Sequence, residues 1–471
     1  MKKIVVIIAL CLIVATCLFA CDKPAQNTED NKYEIKIDYS EEKLSCEQKT
    51  TVINTYKEGI EEYVFLLSPN AYSEEAVNKA YVKKLPSYGS ITISEVKLNG
   101  ENAEFSVDED GYYMSVKTIP QALDAKSEIE MKYEVVLPEC NLRLGKSNGY
   151  INVSNFYPQL AVYGEEGFRK DRFFYIGDPI LSDIADFSVT INLPETLVVA
   201  CPGEVTESIS DGVKTITAQC DDFRDFAFVA NENYTVKTLE SDGVTIKYYS
   251  VKGNDYTSLA ADVIKTFSEA YCKYPYGDYV IAETSFSPDG MEFSGMSFVA
   301  DDTDNATQTI IHETVHQWFY NVVGSDNIES PYLDEGLTTF MTEYYYLLRD
   351  EKEKFDEGMK KISDAYLSYE RLQKMRGEKG DLSLNKSIYD YSEYGYSMLV
   401  YYKTAMMFNN LYETAGKARF DKAIKNYVED NYMKRADVDS LTASFAKAMK
   451  CDVKGLIDGW CGGSVTTAKF A

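Results

Sequence analysis

Histidine is almost missing from this chain: its 471 residues include two, and tryptophan is as scarce. A site built on several imidazoles is thereby excluded, and any imidazole chemistry must come from that one pair. Cysteine occurs ten times but never as a CxxC pair, which argues against a structural zinc ribbon. Basic residues are outnumbered, 48 Lys+Arg against 75 Asp+Glu for a net charge of -27, and no cluster of them follows the first three positions. No nucleic-acid partner is therefore expected. The acidity suits an exported protein that must stay soluble, and it would draw in cationic peptides at long range. Beyond residue 20 no apolar run is long enough to span a bilayer, and there is no internal repeat or low-complexity tract.

What is present is ample material for packing, 45% hydrophobic residues and 13% aromatics. The length exceeds what one hydrophobic core usually holds, so two or three domains are expected. The chain opens MKKIVVIIALCLIVATCLFACDK, two lysines and then seventeen uncharged, mostly apolar residues from Ile4 to Ala20. This is the order of a secretory signal. Its ending, LFAC, resembles the lipobox of bacterial lipoproteins. That resemblance implies a lipoprotein signal peptide over residues 1–21, lipidation at Cys21 and a polar tether over 22–32. It also implies an exported protein, held by its lipid at the outer face of the bacterial cytoplasmic membrane or in the cell envelope. Seven cysteines remain beyond Cys21 and cannot all pair; Cys201 with Cys220 and Cys451 with Cys461 are the candidate disulfides.

From residue 33 the chain alternates with the period of half-buried strands. Tyr33, Ile35, Ile37 and Tyr39 share one face; Ile129, Met131, Tyr133 and Val135, and Phe187, Val189, Ile191 and Leu193, repeat the pattern. Asn99-Gly100, Asp110-Gly111, Asp211-Gly212 and Asp242-Gly243 punctuate it as turns. Near residue 250 the period turns helical, and DVDSLTASFAKAMK sets Leu441, Phe445 and Met449 on one stripe. The expected organisation is an all-β N-terminal domain over 33–240 and a second domain over 241–471 that ends in helices.

Both histidines lie in IIHETVHQWFY, residues 310–320. Ile311, Val315, Trp318 and Val322 recur at helical spacing, and Gly324 is a natural stop. His312 and His316 then point the same way and can grip one metal ion, with Glu313 placed to act as a base on water. Two histidines placed at random in this chain would fall four apart only roughly 0.4% of the time. A catalytic zinc needs a third protein ligand and an open position. Glu335 stands nineteen residues beyond His316 in SPYLDEGLTTFMTEYY, where Ser330 reads as an N-cap, Pro331 as the first helical residue, and Leu333, Leu337, Phe340 and Tyr344 as a buried face.

The stretch HETVHQWFYNVVGSDNIESPYLDEGLTTF resembles the zinc motif of the aminopeptidase N family of gluzincin metallopeptidases, HExxH, eighteen residues, then glutamate. NFYPQLAVYGEEGFRKDRF and FSVTINLPETLVVACPGEV are similar to the end of that family's N-terminal β domain. The resemblance implies a thermolysin-like α+β catalytic domain with a helical C-terminal part, one zinc ion on His312, His316 and Glu335, and Glu313 as the general base. DGMEFSG resembles the family's GxMEN signature, which implies that Glu292 holds the free α-amino group of a peptide. VYYKTAMMF resembles its YxKGA stretch, which implies Tyr401 as the donor to the developing oxyanion; Tyr394, Tyr396 and Tyr402 are alternatives by position.

Phe293, Asp334 and Thr404 depart from the asparagine, asparagine and glycine of those motifs, and no further domain follows the C-terminal helices, so a more open cleft is expected. The expected activity is a zinc-dependent aminopeptidase acting on peptides with a free N-terminus. Two other readings exist. A thermolysin-like endopeptidase would suit an open cleft but leave Glu292 without a purpose. A non-catalytic peptide-binding surface lipoprotein would have no need of Glu313.

Overall fold

A computed structural model describes residues 31–375 and 382–465. The signal peptide, Cys21 and nearly all of the tether lie outside the described residues.

The alternating segments form an eight-stranded sheet in the order Glu204–Ser210, Val213–Phe223, Ala185–Pro194, Asn31–Tyr39, Lys43–Ile53, Lys126–Val136, Ser90–Leu98, Glu101–Asn102. Its inner face is the one the alternation marks out: Ile35, Ile37, Ile129, Met131, Tyr133, Val135, Phe187, Val189 and Ile191 are all buried in one core. Two four-stranded sheets complete this β domain. Asn99 and Gly100, Asp211 and Gly212, and Asp242 and Gly243 all have positive φ, as two-residue hairpin turns require. Residues 235–241 pair with Val244–Ser250 and so lie in the sheet of the second domain. The break in strand pairing falls after Asn231, ahead of residue 240; a hairpin partner, invisible to local alternation, decides it.

That second sheet has five strands, in the order Thr235–Ser241, Val244–Ser250, Asp278–Thr284, Met296–Ala300, Gly290–Phe293. Three run parallel, and the edge strand Gly290–Phe293 returns antiparallel. The histidine helix, Ala306–Val315, packs on this sheet, and the helix Glu335–Leu348 packs on the histidine helix. Nearly every residue of Glu335–Leu348 is buried, so it is a central helix rather than an amphipathic one. Thr339 and Thr342 satisfy their hydroxyls by donating to the carbonyls of Glu335 and Thr338. Around it lie Lys352–Met375, Thr404–Ala415, Lys417–Asp430 and Val438–Ala448, the last carrying the Leu441, Phe445 and Met449 stripe into the core.

The candidate disulfides are absent, and all seven described cysteines are free thiols. Cys201 and Cys220 are buried, and Cys220 donates to the Pro202 carbonyl; Cys451 is exposed while Cys461 is buried beside Tyr332. Among the described residues no helix is long and apolar enough to cross a membrane.

The central helix carries one costly group. Glu343 is buried against Gly358, where a Cβ would collide with its carboxylate, and it accepts a hydrogen bond from Gln308 Nε2 at 2.7 Å. Burial pushes its carboxyl up to about 7. A carboxyl raised in the folded state costs nothing where both states are protonated, and its cost grows between its ordinary value and about 7. Glu343→Gln is therefore expected to unfold like the parent near pH 4 but to be more stable by roughly 2–3 kcal/mol near pH 8. Denaturant titrations at the two pH values check this; an equal difference at both would refute it.

Candidate metal centre

The histidine helix is regular only to Val315. Beyond it Gln317–Val322 form a π-turn with Phe319 outside helical geometry, and Gly324 lies in a short strand rather than acting as a C-cap. The Arg224 guanidinium occupies the space that a Cβ on Gly324 would fill, so glycine is required there. Similarly, Pro331–Leu333 form a separate 3-10 turn without a Ser330 side-chain cap, and Glu335 opens its helix instead of sitting in the second turn. Glu335 therefore projects from a helix end.

The three expected ligands converge. His312 Nε2 is 3.2 Å and His316 Nε2 3.3 Å from Glu335 Oε2, and the two Nε2 atoms are 3.1 Å apart. His312 Nδ1 faces Thr342 Oγ1 at 3.3 Å, and that hydroxyl already donates its hydrogen to the Thr338 carbonyl, so the imidazole must donate. His316 Nδ1 faces two acceptors, the Phe319 carbonyl at 3.2 Å and Asp334 Oδ1 at 2.8 Å. Both rings are thus held with the proton on Nδ1 and a lone pair on Nε2. Two such lone pairs and a carboxylate oxygen this close repel unless a cation lies among them. Ligands around a tetrahedral zinc stand about 3.3 Å apart, given metal–ligand bonds of about 2.0–2.2 Å. The residues fit the ion that the motif implies.

Glu313 lies beside this group, buried, with Oε2 free of any hydrogen-bond partner. Gly290 makes its position possible, since a Cβ there would strike the Glu313 carboxylate. Burial pushes the Glu313 carboxyl up to about 8. Glu292 reaches the same place from the edge strand, buried, its Oε1 also unpartnered. An oxygen of Glu292, one of Glu335 and one of Asp178 all lie within 4.8 Å of one another.

Asp178 escaped the sequence reading, because YIGDP carries no signal beyond that of a turn. It comes from the β-domain loop that precedes strand Ala185–Pro194 and accepts from the Arg143 guanidinium, which also donates to the Gly177 carbonyl at 3.3 Å. Of the four candidate tyrosines, Tyr401 donates its hydroxyl to Glu335, and its ring stacks on His312 with centroids 6.2 Å apart. Tyr396 is buried next to Tyr401 and against Gly177, whereas Tyr394 is exposed. Tyr402 is only half-buried at the edge of the core.

The three departures from the motif are accommodated. Phe293, on the opposite face of the strand from Glu292, packs on Phe298 with centroids 4.7 Å apart. Thr404 packs against Gly336, where a Cβ would clash with it, so the glycine that permits close helix contact stands on the other helix. Asp334 turns its carboxylate to His316.

An HExxH helix completed by the leading glutamate of the next helix is the centre of a gluzincin-type zinc metallopeptidase. Residues 257–460 match the Peptidase family M1 domain. Aminopeptidase N of Lactobacillus helveticus is 24% identical over 408 residues, covering 79% of this chain and 46% of that protein. Among solved structures, a mutant M1 zinc metallopeptidase of Deinococcus radiodurans superposes with a TM-score of 0.69 at 17% identity, over 93% of this chain and 95% of that one. The same Deinococcus protein bound to a Tyr-Ser-Ala substrate gives 0.65 at 16% identity, over 93% and 94%. The chain thus carries a peptidase family M1 domain over residues 257–460. It spans less than half the length of the Lactobacillus relative.

Because each ligand supplies one of three converging atoms, Glu335→Ala is expected to bind zinc at least a hundredfold more weakly while keeping its fold. Zinc content after dialysis against a chelator, with circular dichroism as the control, checks this; full retention would remove Glu335 from the ligand set.

Proposed function

We propose that the chain is a zinc aminopeptidase that removes N-terminal residues from peptides. The observation that carries this reading is Glu292, a buried carboxylate with an unpartnered oxygen, grouped with Glu335 and Asp178 beside the two histidines. A buried carboxylate oxygen without a donor is costly, and a peptide's ammonium group supplies both the charge and the hydrogens it lacks. A zinc ion on His312, His316 and Glu335 would polarise the scissile carbonyl and acidify water. Glu292 holds the α-ammonium and so sets how far the peptide enters. Glu313 takes the proton from the attacking water and delivers it to the departing amine, a task suited to a carboxyl raised by burial. Tyr401 is placed to turn its hydroxyl from Glu335 toward the oxyanion. The Deinococcus relative bound to a Tyr-Ser-Ala substrate is in keeping with this assignment.

Glu313→Gln is expected to retain zinc and lose about 10²–10⁴-fold in kcat. Glu292→Ala should lose roughly 10–100-fold in kcat/KM on free-amine substrates, the worth of a hydrogen bond to a charged group. Turnover of an aminoacyl anilide and of an internally cleaved, N-blocked peptide decides between the readings. Equal turnover of both would favour an endopeptidase, and no turnover by zinc-loaded protein would favour peptide binding alone.

The lipid anchor belongs to the same proposal, on the strength of the LFAC sequence before Cys21. Cys21→Ser is expected to abolish incorporation of labelled fatty acid and release the protein from the membrane fraction; continued incorporation would refute lipidation at Cys21.

A further inference from the structure

The proposed amine anchor and the metal ligands lie on different elements, Glu292 on the edge strand and His316 at the end of the histidine helix. Their separation fixes how many atoms fit between ammonium and metal. One clasp holds them directly. Gln317, next to His316, donates to the Phe293 carbonyl and accepts from the Gly295 amide, both at 3.0 Å.

A second clasp comes from the β domain. Asp225 Oδ1 accepts from the Ser294 amide at 2.9 Å, two residues beyond Glu292, while Oδ2 accepts from the Tyr320 hydroxyl, four residues beyond His316. The Arg224 amide donates to Ser294 Oγ at 2.8 Å, and that hydroxyl passes its own hydrogen to Asn321 Oδ1 at 2.8 Å. The Arg224 guanidinium donates to three main-chain carbonyls, those of Asn321 at 3.0 Å, Lys434 at 3.0 Å and Ser182 at 3.3 Å. Both residues are almost fully buried. Burying two charged side chains is expensive, and a surface linker between domains would not need it. The pair instead touches the anchor hairpin and the π-turn after His316 at once.

We propose that Arg224 and Asp225 are positioning residues that hold the amine anchor in register with the metal ligands, so that the β domain helps to set the exopeptidase geometry of a site on the other domain. This rests on the aminopeptidase reading above. Neither residue touches substrate; each acts through Ser294, Tyr320 and Asn321.

The test compares zinc-loaded Asp225→Ala, Asp225→Asn and Tyr320→Phe with the parent, using an aminoacyl anilide as substrate and the same anilide without its α-amino group as competitive inhibitor. Asp225→Ala is expected to raise KM for the free-amine substrate at least tenfold while the inhibition constant of the desamino analogue moves less than twofold and zinc content holds. Tyr320→Phe should shift in the same direction by a smaller factor. Asp225→Asn, which keeps an acceptor for Ser294 and can donate to Tyr320, should restore most of the difference. Parallel weakening of both ligands, loss of zinc or unchanged constants would overturn the proposal. Should Asp225→Ala fail to fold, Tyr320→Phe decides alone. A parent enzyme that shows no preference for the free amine would refute the aminopeptidase reading, an outcome separate from failure of the clasp.

Discussion

Three acceptor atoms, two imidazole nitrogens and a carboxylate oxygen, meet within 3.3 Å of one another, and the surrounding structure exists to hold them there. Left alone they would separate, so each is fixed from behind. Thr342 accepts from His312, the Phe319 carbonyl accepts from His316 with the Asp334 carboxylate beside it, and Glu335 sits at a helix start. Two glycines admit the approach. Gly336 lets the glutamate helix close on Val400 and Thr404, near Tyr401, and Gly290 lets Glu313 lie against the edge strand. A methyl group at Gly290 would displace the Glu313 carboxylate, and one at Gly336 would push the glutamate helix away from Val400 and Thr404.

Much of this was legible in the sequence. Strand alternation named the inner face of the large sheet, because a sheet buried on one side writes its orientation into every second residue. The ligand set was legible because a metal demands fixed residue types, and a helix brings residues four apart to one face. What stayed hidden depends on partners distant in sequence. The π-turn at Gln317–Val322 is hydrogen-bonded to Arg224, almost a hundred positions upstream, and a local pattern of Ile311, Val315, Trp318 and Val322 could only read as continuous helix. Asp178 joins the site through contacts with Arg143 and Glu292, neither of which is near it in the chain. The strand at 235–241 is mostly exposed and carries little pattern of its own, so only its hairpin partner reveals to which sheet it belongs.

Charge carries the argument from architecture to substrate. Asp178, Glu292, Glu313, Asp334 and Glu335 crowd around two histidines, and Arg143 is the cation that reaches Asp178. One divalent ion balances part of this charge, and buried carboxylates that remain unbalanced either take up protons or wait for a cation. Burial already drives Glu292 and Glu313 toward their neutral forms, Glu292 well above its ordinary range. An arriving ammonium reverses that pressure for Glu292, since it offers a charge and hydrogen-bond donors in one small group. A neutral, blocked peptide offers neither, and must leave Glu292 protonated or unsatisfied. On the proposed role of Glu292, discrimination against it would be a consequence of desolvation as much as of shape: the site would penalise every ligand that does not bring its own positive charge to the edge strand.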